Sequence, residues 1–96
     1  MKKIFIRETF RDDFISRAAG EKLRGLIIAA DQNGEGVEID FSSIVVGSTS
    51  FFDEAIAKLS EEGWNLQKLR QRVVFRHLDP RDEKVLEQMC QVRNLT

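Results

Sequence analysis

Residues 37–59 read VEIDFSSIVVGSTSFFDEAIAKL, and the change of pattern within this stretch decides the fold class. Apolar residues alternate with polar ones from Val37 to Phe41 and then run without a break from Ile44 to Val46. This combination predicts a strand that passes from half-buried to fully buried surroundings. We expect the strand to end at Gly47.

A helix is predicted directly after this strand. Apolar residues recur at spacings of three and four within residues 52–59, which is the period of one helix face. We place this helix from about Ser50 to Glu62, with Gly63 suited to close it. Ser50 and Asp53, three residues later, resemble a capping box at its start.

The N-terminal third repeats this order of strand and helix. The apolar run Ile4–Ile6 predicts a first strand, while residues 7–15 fit either a loop or a short hairpin. From Ser16, which is suited to cap a helix, apolar residues recur at helical spacing up to a glycine-rich turn. Gly20 and Gly25 inside this helix indicate either close packing against the sheet or a frayed helix.

The C-terminal third opens with LQKLRQRVVFRHL at residues 66–78, in which apolar and basic residues alternate. We predict a third strand with one apolar face and one basic face. The basic face consists of Arg70, Arg72 and Arg76. Asp79 and Pro80 then predict the start of a last helix, because aspartate caps helices and proline suits their first position.

The resulting order is β-α-β-α-β-α. Strands that alternate with helices predict a parallel or mixed sheet, joined by right-handed crossovers and covered by helices. No linker or internal repeat interrupts residues 1–96, so we expect one small α/β domain, a sandwich of helices on a sheet. The pattern leaves the strand order and the oligomeric state open.

Composition excludes several classes of function. Fifteen basic and sixteen acidic residues give a net charge of −1, so no overall field directs the chain to nucleic acid or anionic lipid. One cysteine, Cys90, and one histidine, His77, permit neither an internal disulfide nor a structural zinc site, and we expect both to be structural. No phosphate-binding motif is present, and no apolar run approaches the roughly 20 residues of a membrane span. We expect a cytoplasmic protein without cofactor or metal.

The central segment resembles a known family. The strand ends in Asp40 and Phe41, a hydroxyl-rich turn follows, and the next helix begins with SFFDE at residues 50–54. Together with Arg17 at the head of the first helix, these features are similar to the STAS-like domain family of unknown function. The resemblance covers about residues 15–92.

That family is more distantly similar to the STAS domains of anti-sigma-factor antagonists. The resemblance implies a bacterial, non-enzymatic regulatory protein that binds a serine kinase of the histidine-kinase-like ATPase fold. In the antagonists, this kinase phosphorylates a serine or threonine at the start of the helix after the central strand, and the modified protein releases its partner. The matching turn here reads Ser48-Thr49-Ser50-Phe51, against Asp-Ser-Ser/Thr-Gly in the antagonists, and Ser50 aligns with the modified hydroxyl.

The predicted partner-binding surface is the start of the central helix. It consists of Ser48, Thr49, Ser50, Phe51, Asp53 and Glu54. Each of the three hydroxyl residues is a candidate either for a helix cap or for phosphorylation. Phe51 either packs sideways in the core, which we favour, or anchors a partner. Asp53 and Glu54 point about 100° apart on a helix, which favours stabilising charges over a general acid–base pair.

A second hypothesis concerns the basic face of the third strand. Arg70, Arg72 and Arg76 would suit a regulator that binds nucleic acid or a nucleotide. No aromatic residues interleave with these arginines, and several acids follow or precede them. A solvated face, or one that meets an acidic partner, is therefore the preferred interpretation.

Overall fold

Three parallel strands form the sheet of this protein, and helices connect them. The computed structural model describes residues 1–96. The strands are β1 (Lys2–Phe5), β2 (Val37–Asp40) and β3 (Val73–Arg76), which lie side by side in the order β1-β2-β3. Ile4 lies beside Ile39, which in turn lies beside Phe75. This parallel sheet with its helices confirms the predicted small α/β fold.

Five α-helices and one 3₁₀ helix complete the fold. The α-helices are α1 (Ile6–Phe10), α2 (Arg17–Gln32), α3 (Thr49–Ala55), α4 (Leu66–Arg72) and α5 (Pro80–Val92), and the 3₁₀ helix is Ala57–Glu62. The first strand lies earlier than the predicted Ile4–Ile6, because Ile6 already begins α1. The stretch that fitted either a loop or a hairpin therefore starts as a short helix.

The helix α2 begins and ends as the sequence predicts. The hydroxyl of Ser16 accepts a hydrogen bond from the amide of Ala19 at 3.1 Å, which caps the first turn. Gly34 follows the last turn with a φ of 75°, a conformation that favours glycine. Leu23 and Ile27 point into the core from the middle of the helix.

The strand β2 is shorter than predicted, and its continuation through Ile44–Val46 is wrong. The chain turns after Phe41, whose carbonyl accepts a hydrogen bond from the amide of Ile44 at 3.3 Å. Ser43 has a φ of 64°, which takes the backbone out of the extended conformation. An unbroken apolar run therefore does not prolong the strand here, and Val45 is exposed.

The helix α3 starts one residue before the predicted Ser50 and ends early. It spans Thr49–Ala55, and the 3₁₀ helix carries the chain on to Glu62. Gly63, with a φ of 79°, closes this segment as predicted.

The prediction of a strand over residues 66–72 is wrong, because these residues form α4. The carboxamide of Asn65 accepts a hydrogen bond from the amide of Lys68 at 2.8 Å and caps this helix. Leu66, Leu69 and Val73 are spaced by three and four residues, which is the period of a helix face. The same stretch can also be read as an alternation of apolar and basic residues, which is typical of a strand. Residues with a strong preference for strands begin only at Val73, where β3 starts.

The helix α5 starts as predicted. The carboxylate of Asp79 accepts a hydrogen bond from the amide of Arg81 at 2.8 Å, and Pro80 takes the first helical position. Leu86 and Cys90 face the core, whereas Val92 is exposed.

Close packing of α2 against α3 depends on Gly20. A Cβ atom at Gly20 would lie 2.7 Å from the carbonyl oxygen of Phe51 and 2.8 Å from the Cβ of Glu54. This confirms that a glycine permits close approach, although its neighbour is α3 and not the sheet. Gly25 has open space around it, so close packing is wrong for that position.

A single hydrophobic core joins all of these elements. Every strand and every helix contributes at least one buried apolar side chain to it. None of the helices combines the length and the apolar character that crossing a bilayer requires.

Candidate functional site

The start of α3 is held by the hydroxyl of Ser48. This hydroxyl accepts a hydrogen bond from the amide of Phe51 at 3.2 Å and donates one to the carbonyl of Ile15 at 2.6 Å. Ser48 is therefore the N-cap of α3, and it also ties the helix start to the loop before α2. The predicted capping box of Ser50 and Asp53 is wrong, because Ser50 lies inside the helix.

Thr49 and Ser50 form the first turn of α3. Thr49 is exposed and Ser50 is half-buried. Because Ser48 is committed to the cap, Thr49 is the most accessible hydroxyl of the three. Phosphorylation of any of them stays a prediction.

Phe51 is completely buried, which confirms the favoured prediction that it packs in the core. Its ring meets Phe10 of α1 edge-on at a centroid distance of 6.2 Å and Phe52 at 5.6 Å. Such edge-to-face pairs stabilise the packing beyond the area that they bury. The ring is enclosed on both sides and therefore fastens α3 to α1 within the molecule.

Two arginines from different elements bind the carboxylate of Asp53. Arg93, at the end of α5, donates from Nε to Oδ1 and from Nη2 to Oδ2, both at 2.8 Å. Arg17 Nη1 donates to Oδ2 at 2.9 Å. The side chain of Asp53 is only 6% exposed. The guanidinium of Arg93, together with that of Arg17, lowers the pKa of Asp53 to about 2 despite the cost of burial. Asp53 thus joins the heads of α2 and α3 to the tail of α5.

Glu54 is also buried, and it shares Arg17 with Asp53, since Arg17 Nη1 lies 3.2 Å from Glu54 Oε1. Lys58 Nζ lies 2.6 Å from its Oε1, and Arg24 Nη1 lies 3.1 Å from its Oε2. Arg24 also donates to the backbone carbonyl of Glu54. Lys58, followed by Arg24 and Arg17, lowers the pKa of Glu54. Asp53 and Glu54 therefore serve as anchors for basic side chains, and partner binding by either of them stays a prediction.

Asp82 of α5 holds the loop that leads into α3. Its carboxylate is completely buried and accepts hydrogen bonds from the amides of Val46 at 2.7 Å and Gly47 at 2.8 Å. A buried carboxylate of this kind requires such donors, because an unpaired charge in the interior is costly. The loop before Ser48 is therefore fixed from beneath by α5.

Two exposed apolar side chains belong to the segments that are joined to this helix start. Ile15 is 53% exposed and Val45 is 44% exposed. Ile15 is bound through its carbonyl to Ser48, and Val45 precedes Ser48 by three residues in the loop held by Asp82. We call Ile15, Val45, Ser48, Thr49 and Ser50 the helix-start surface.

The prediction that Arg70, Arg72 and Arg76 form one basic face of a strand is wrong. Arg70 and Arg72 lie on α4, and only Arg76 lies on β3. Arg72 Nε donates to Asp31 at 2.7 Å, and Arg76 Nε donates to Glu38 at 2.9 Å. Two of the three arginines are thus neutralised by neighbouring elements, which leaves the hypothesis of a nucleic-acid-binding face without support.

A polar cluster that the sequence did not predict lies at the carboxyl ends of β2 and β3. Ser42 Oγ donates to Asp40 Oδ1 at 2.5 Å, and His77 Nδ1 lies 3.0 Å from Ser42 Oγ and 3.1 Å from Asp40 Oδ1. A catalytic relay needs the carboxylate and the hydroxyl on different ring nitrogens. Here both meet Nδ1, so the arrangement joins two strand ends and does not form a relay.

Cys90 is buried, and burial raises the pKa of its thiol to about 11. A thiol in such surroundings is a poor nucleophile. No three side chains of histidine, cysteine, aspartate or glutamate are arranged to hold a metal ion.

The sequence analysis missed the arginine partners of Asp53 and Glu54, because these arginines come from distant positions. Arg17 precedes Asp53 by 36 residues and Arg93 follows it by 40. The sequence offers one signal for these ion pairs. Two adjacent acids lie in a predicted helix, and the other predicted helices carry arginines for which no partner is evident.

The profile of a family described as "STAS-like domain of unknown function (DUF4325)" matches residues 19–83. Neither a curated protein nor a solved structure is significantly similar to the chain. The matched segment contains α2 except for its first two residues, the sheet strands β2 and β3, and the whole helix-start surface except Ile15. It covers more than half of the chain, which therefore belongs to the family of STAS-like domains of unknown function.

Proposed function

We propose that this chain is a non-enzymatic regulatory module that binds a partner protein through the helix-start surface. The proposal rests on the exposure of Thr49 at the start of α3, together with the exposure of Ile15, whose carbonyl binds Ser48, and of Val45 in the preceding loop. Apolar contacts with few charges at their centre are typical of protein interfaces. Three interior ties hold this surface in place, namely the Ser48 cap, the Asp82 carboxylate and the burial of Phe51.

The partner that we propose is a histidine-kinase-like ATPase. The support is the membership of the STAS-like family and the position of the hydroxyl turn after the central strand β2. A rigid surface suits such a partner, because a preformed interface loses little conformational entropy on binding.

Phosphorylation of Thr49, or of Ser50, would supply the regulatory switch. Thr49 precedes Asp53 by four residues, so a phosphate on Thr49 would stand above the Asp53 carboxylate on one helix face. The two negative charges repel each other, and the half-exposed Arg17 that binds Asp53 is available to the phosphate instead. A phosphate would also add negative charge to the helix-start surface, and a partner that binds its apolar side chains could then no longer desolvate it.

The test is phosphate transfer measured by intact mass. The chain is incubated with ATP and a purified histidine-kinase-like ATPase from the same genome, together with the variants Thr49→Ala and Ser50→Ala. We expect one added phosphate on the wild type and loss of that phosphate in one of the two variants. An unchanged mass in the wild type contradicts the switch, and equal phosphorylation of both variants contradicts its location.

A further inference from the structure

A long apolar groove lies between α5 on one side and α4 with β3 on the other. Its volume is about 680 Å³, within the range of about 300–1,000 Å³ that is typical of ligand sites. Leu69, Val73 and Leu86 are among the side chains that form its apolar floor. The groove shares no residue with the helix-start surface.

The groove runs along an unpaired edge of the sheet. β3 is the last strand in the order β1-β2-β3, so one of its sides has no neighbouring strand. The carbonyl of Arg76 accepts a hydrogen bond from the amide of Phe41 next to β2. Because the residues that bond to one neighbour alternate along a parallel strand, the N–H and C=O of Phe75 face the open side. The side chain of Phe75 lines the groove.

The charges along the groove are unequal. Glu83 and Glu87 lie four residues apart on α5, both are exposed, and both line the groove. The ion pairs of α5 involve Arg81 and Arg93 instead, so these two acids remain free for a ligand. The opposite wall offers the single exposed cation Arg70. The groove therefore favours a ligand with positive charge on the α5 side.

We propose that this groove binds an extended peptide segment of a partner protein, which adds to β3 as a fourth strand. Its main chain bonds to the N–H and C=O of Phe75, and an apolar side chain fills the floor. A lysine or arginine of the peptide pairs with Glu83 and Glu87. Main-chain bonds of this kind supply affinity, and the pockets for alternate side chains supply specificity.

The probe is a synthetic peptide of about six residues, which is the usual length of one strand. Because the side chains of a strand alternate between its two faces, leucine and lysine take neighbouring positions on the face that enters the groove, and threonine takes the positions on the other face. The ¹⁵N-labelled protein is titrated with this peptide, and amide exchange is followed by NMR. We expect saturable binding, with slower hydrogen exchange at the amide of Phe75. A peptide N-methylated at alternate amides should bind at least about tenfold more weakly, since it cannot complete the ladder.

Charge reversal tests the second part of the proposal. In the double variant Glu83→Lys and Glu87→Lys, we expect affinity for the lysine peptide to fall about tenfold or more. The variant Glu21→Lys and Glu62→Lys has the same net charge, and its exposed substitutions lie outside the groove, so it should bind like the wild type. The proposal is overturned if no peptide binds saturably, if N-methylation has no effect, or if both double variants lose affinity equally.

Discussion

The adjacent acids Asp53 and Glu54 show how single residues decide this structure. A pair of exposed charges at a helix start would add little to stability. Asp53 is instead buried and held by two arginines from α2 and α5, with both carboxylate oxygens occupied. Removing its charge deprives Arg93 of its closest carboxylate, since the other one, that of Glu61, lies 3.8 Å away.

We predict that Asp53→Asn lowers the free energy of unfolding by about 2–4 kcal/mol, since breaking one side of a buried ion pair is costly. Urea denaturation measures this change. Asp12→Asn, an exposed substitution of the same kind, should leave the midpoint unchanged within error. Equal stability of the two variants would show that the carboxylate of Asp53 is not a structural anchor.

The same carboxylate makes stability depend on pH. Arg93 lowers the pKa of Asp53 from 3.8 to about 2, so the unfolded chain binds a proton more readily than the folded one. The resulting stabilisation, about 2 kcal/mol, is complete above the unfolded pKa and is lost as the pH falls through about 4 to 2. Denaturation at several pH values should show a weaker decrease in Asp53→Asn than in the wild type. The decrease should not vanish, because arginine and lysine also lower the pKa of Glu54 and Asp31. Identical slopes would contradict this account.

Among the secondary-structure elements, α2 and α3 pack closely because Gly20 has no Cβ atom. Alanine is the better helix former, by about 1 kcal/mol in an exposed position. At Gly20, however, the new Cβ atom would fall 2.7 Å from the backbone oxygen of Phe51, and backbone atoms cannot rotate away as a flexible side chain can.

We predict that Gly20→Ala destabilises the protein by about 1–3 kcal/mol, because α2 and α3 must move apart. Gly25→Ala is the matched control in the same helix, and open space at Gly25 should let it stabilise the protein by about 0.5–1 kcal/mol. Thermal unfolding of both variants tests the opposite signs. Stabilisation by both substitutions would mean that α2 does not lie so close to α3.

The elements also show what a sequence can and cannot predict. Helices α2 and α5 are predictable at their starts, because Ser16 and Asp79 cap them through chemistry local to a few residues. Residues 66–72 are ambiguous, since their apolar spacing suits both a strand and a helix, and the asparagine cap decides for α4. The end of β2 depends on the positive φ of Ser43, which no periodicity reveals. The sequence locates the hydroxyl turn at residues 48–50. It does not reveal that Asp53 and Glu54 are buried, because their burial depends on arginines far away in the sequence.

At the scale of the whole molecule, α5 connects the separate parts. Asp82 near its start binds the loop before α3, Arg93 at its end binds Asp53, and its outer face forms one wall of the groove. The helix-start surface is therefore rigid because one long helix supports it at two points. The groove shares no residue with the helix-start surface.

The most direct test of the account is the binding of a histidine-kinase-like ATPase to variants of the helix-start surface. Isothermal titration compares the wild type with Ile15→Asp, Val45→Asp and the control Val92→Asp, which alters the most exposed apolar side chain, 69% accessible, on α5. We predict that the first two substitutions weaken binding by at least about tenfold, because each places a charge in an apolar contact, and that Val92→Asp binds like the wild type. Equal affinity of all four proteins, or loss of binding only in Val92→Asp, would contradict the proposal that the partner docks at the start of α3.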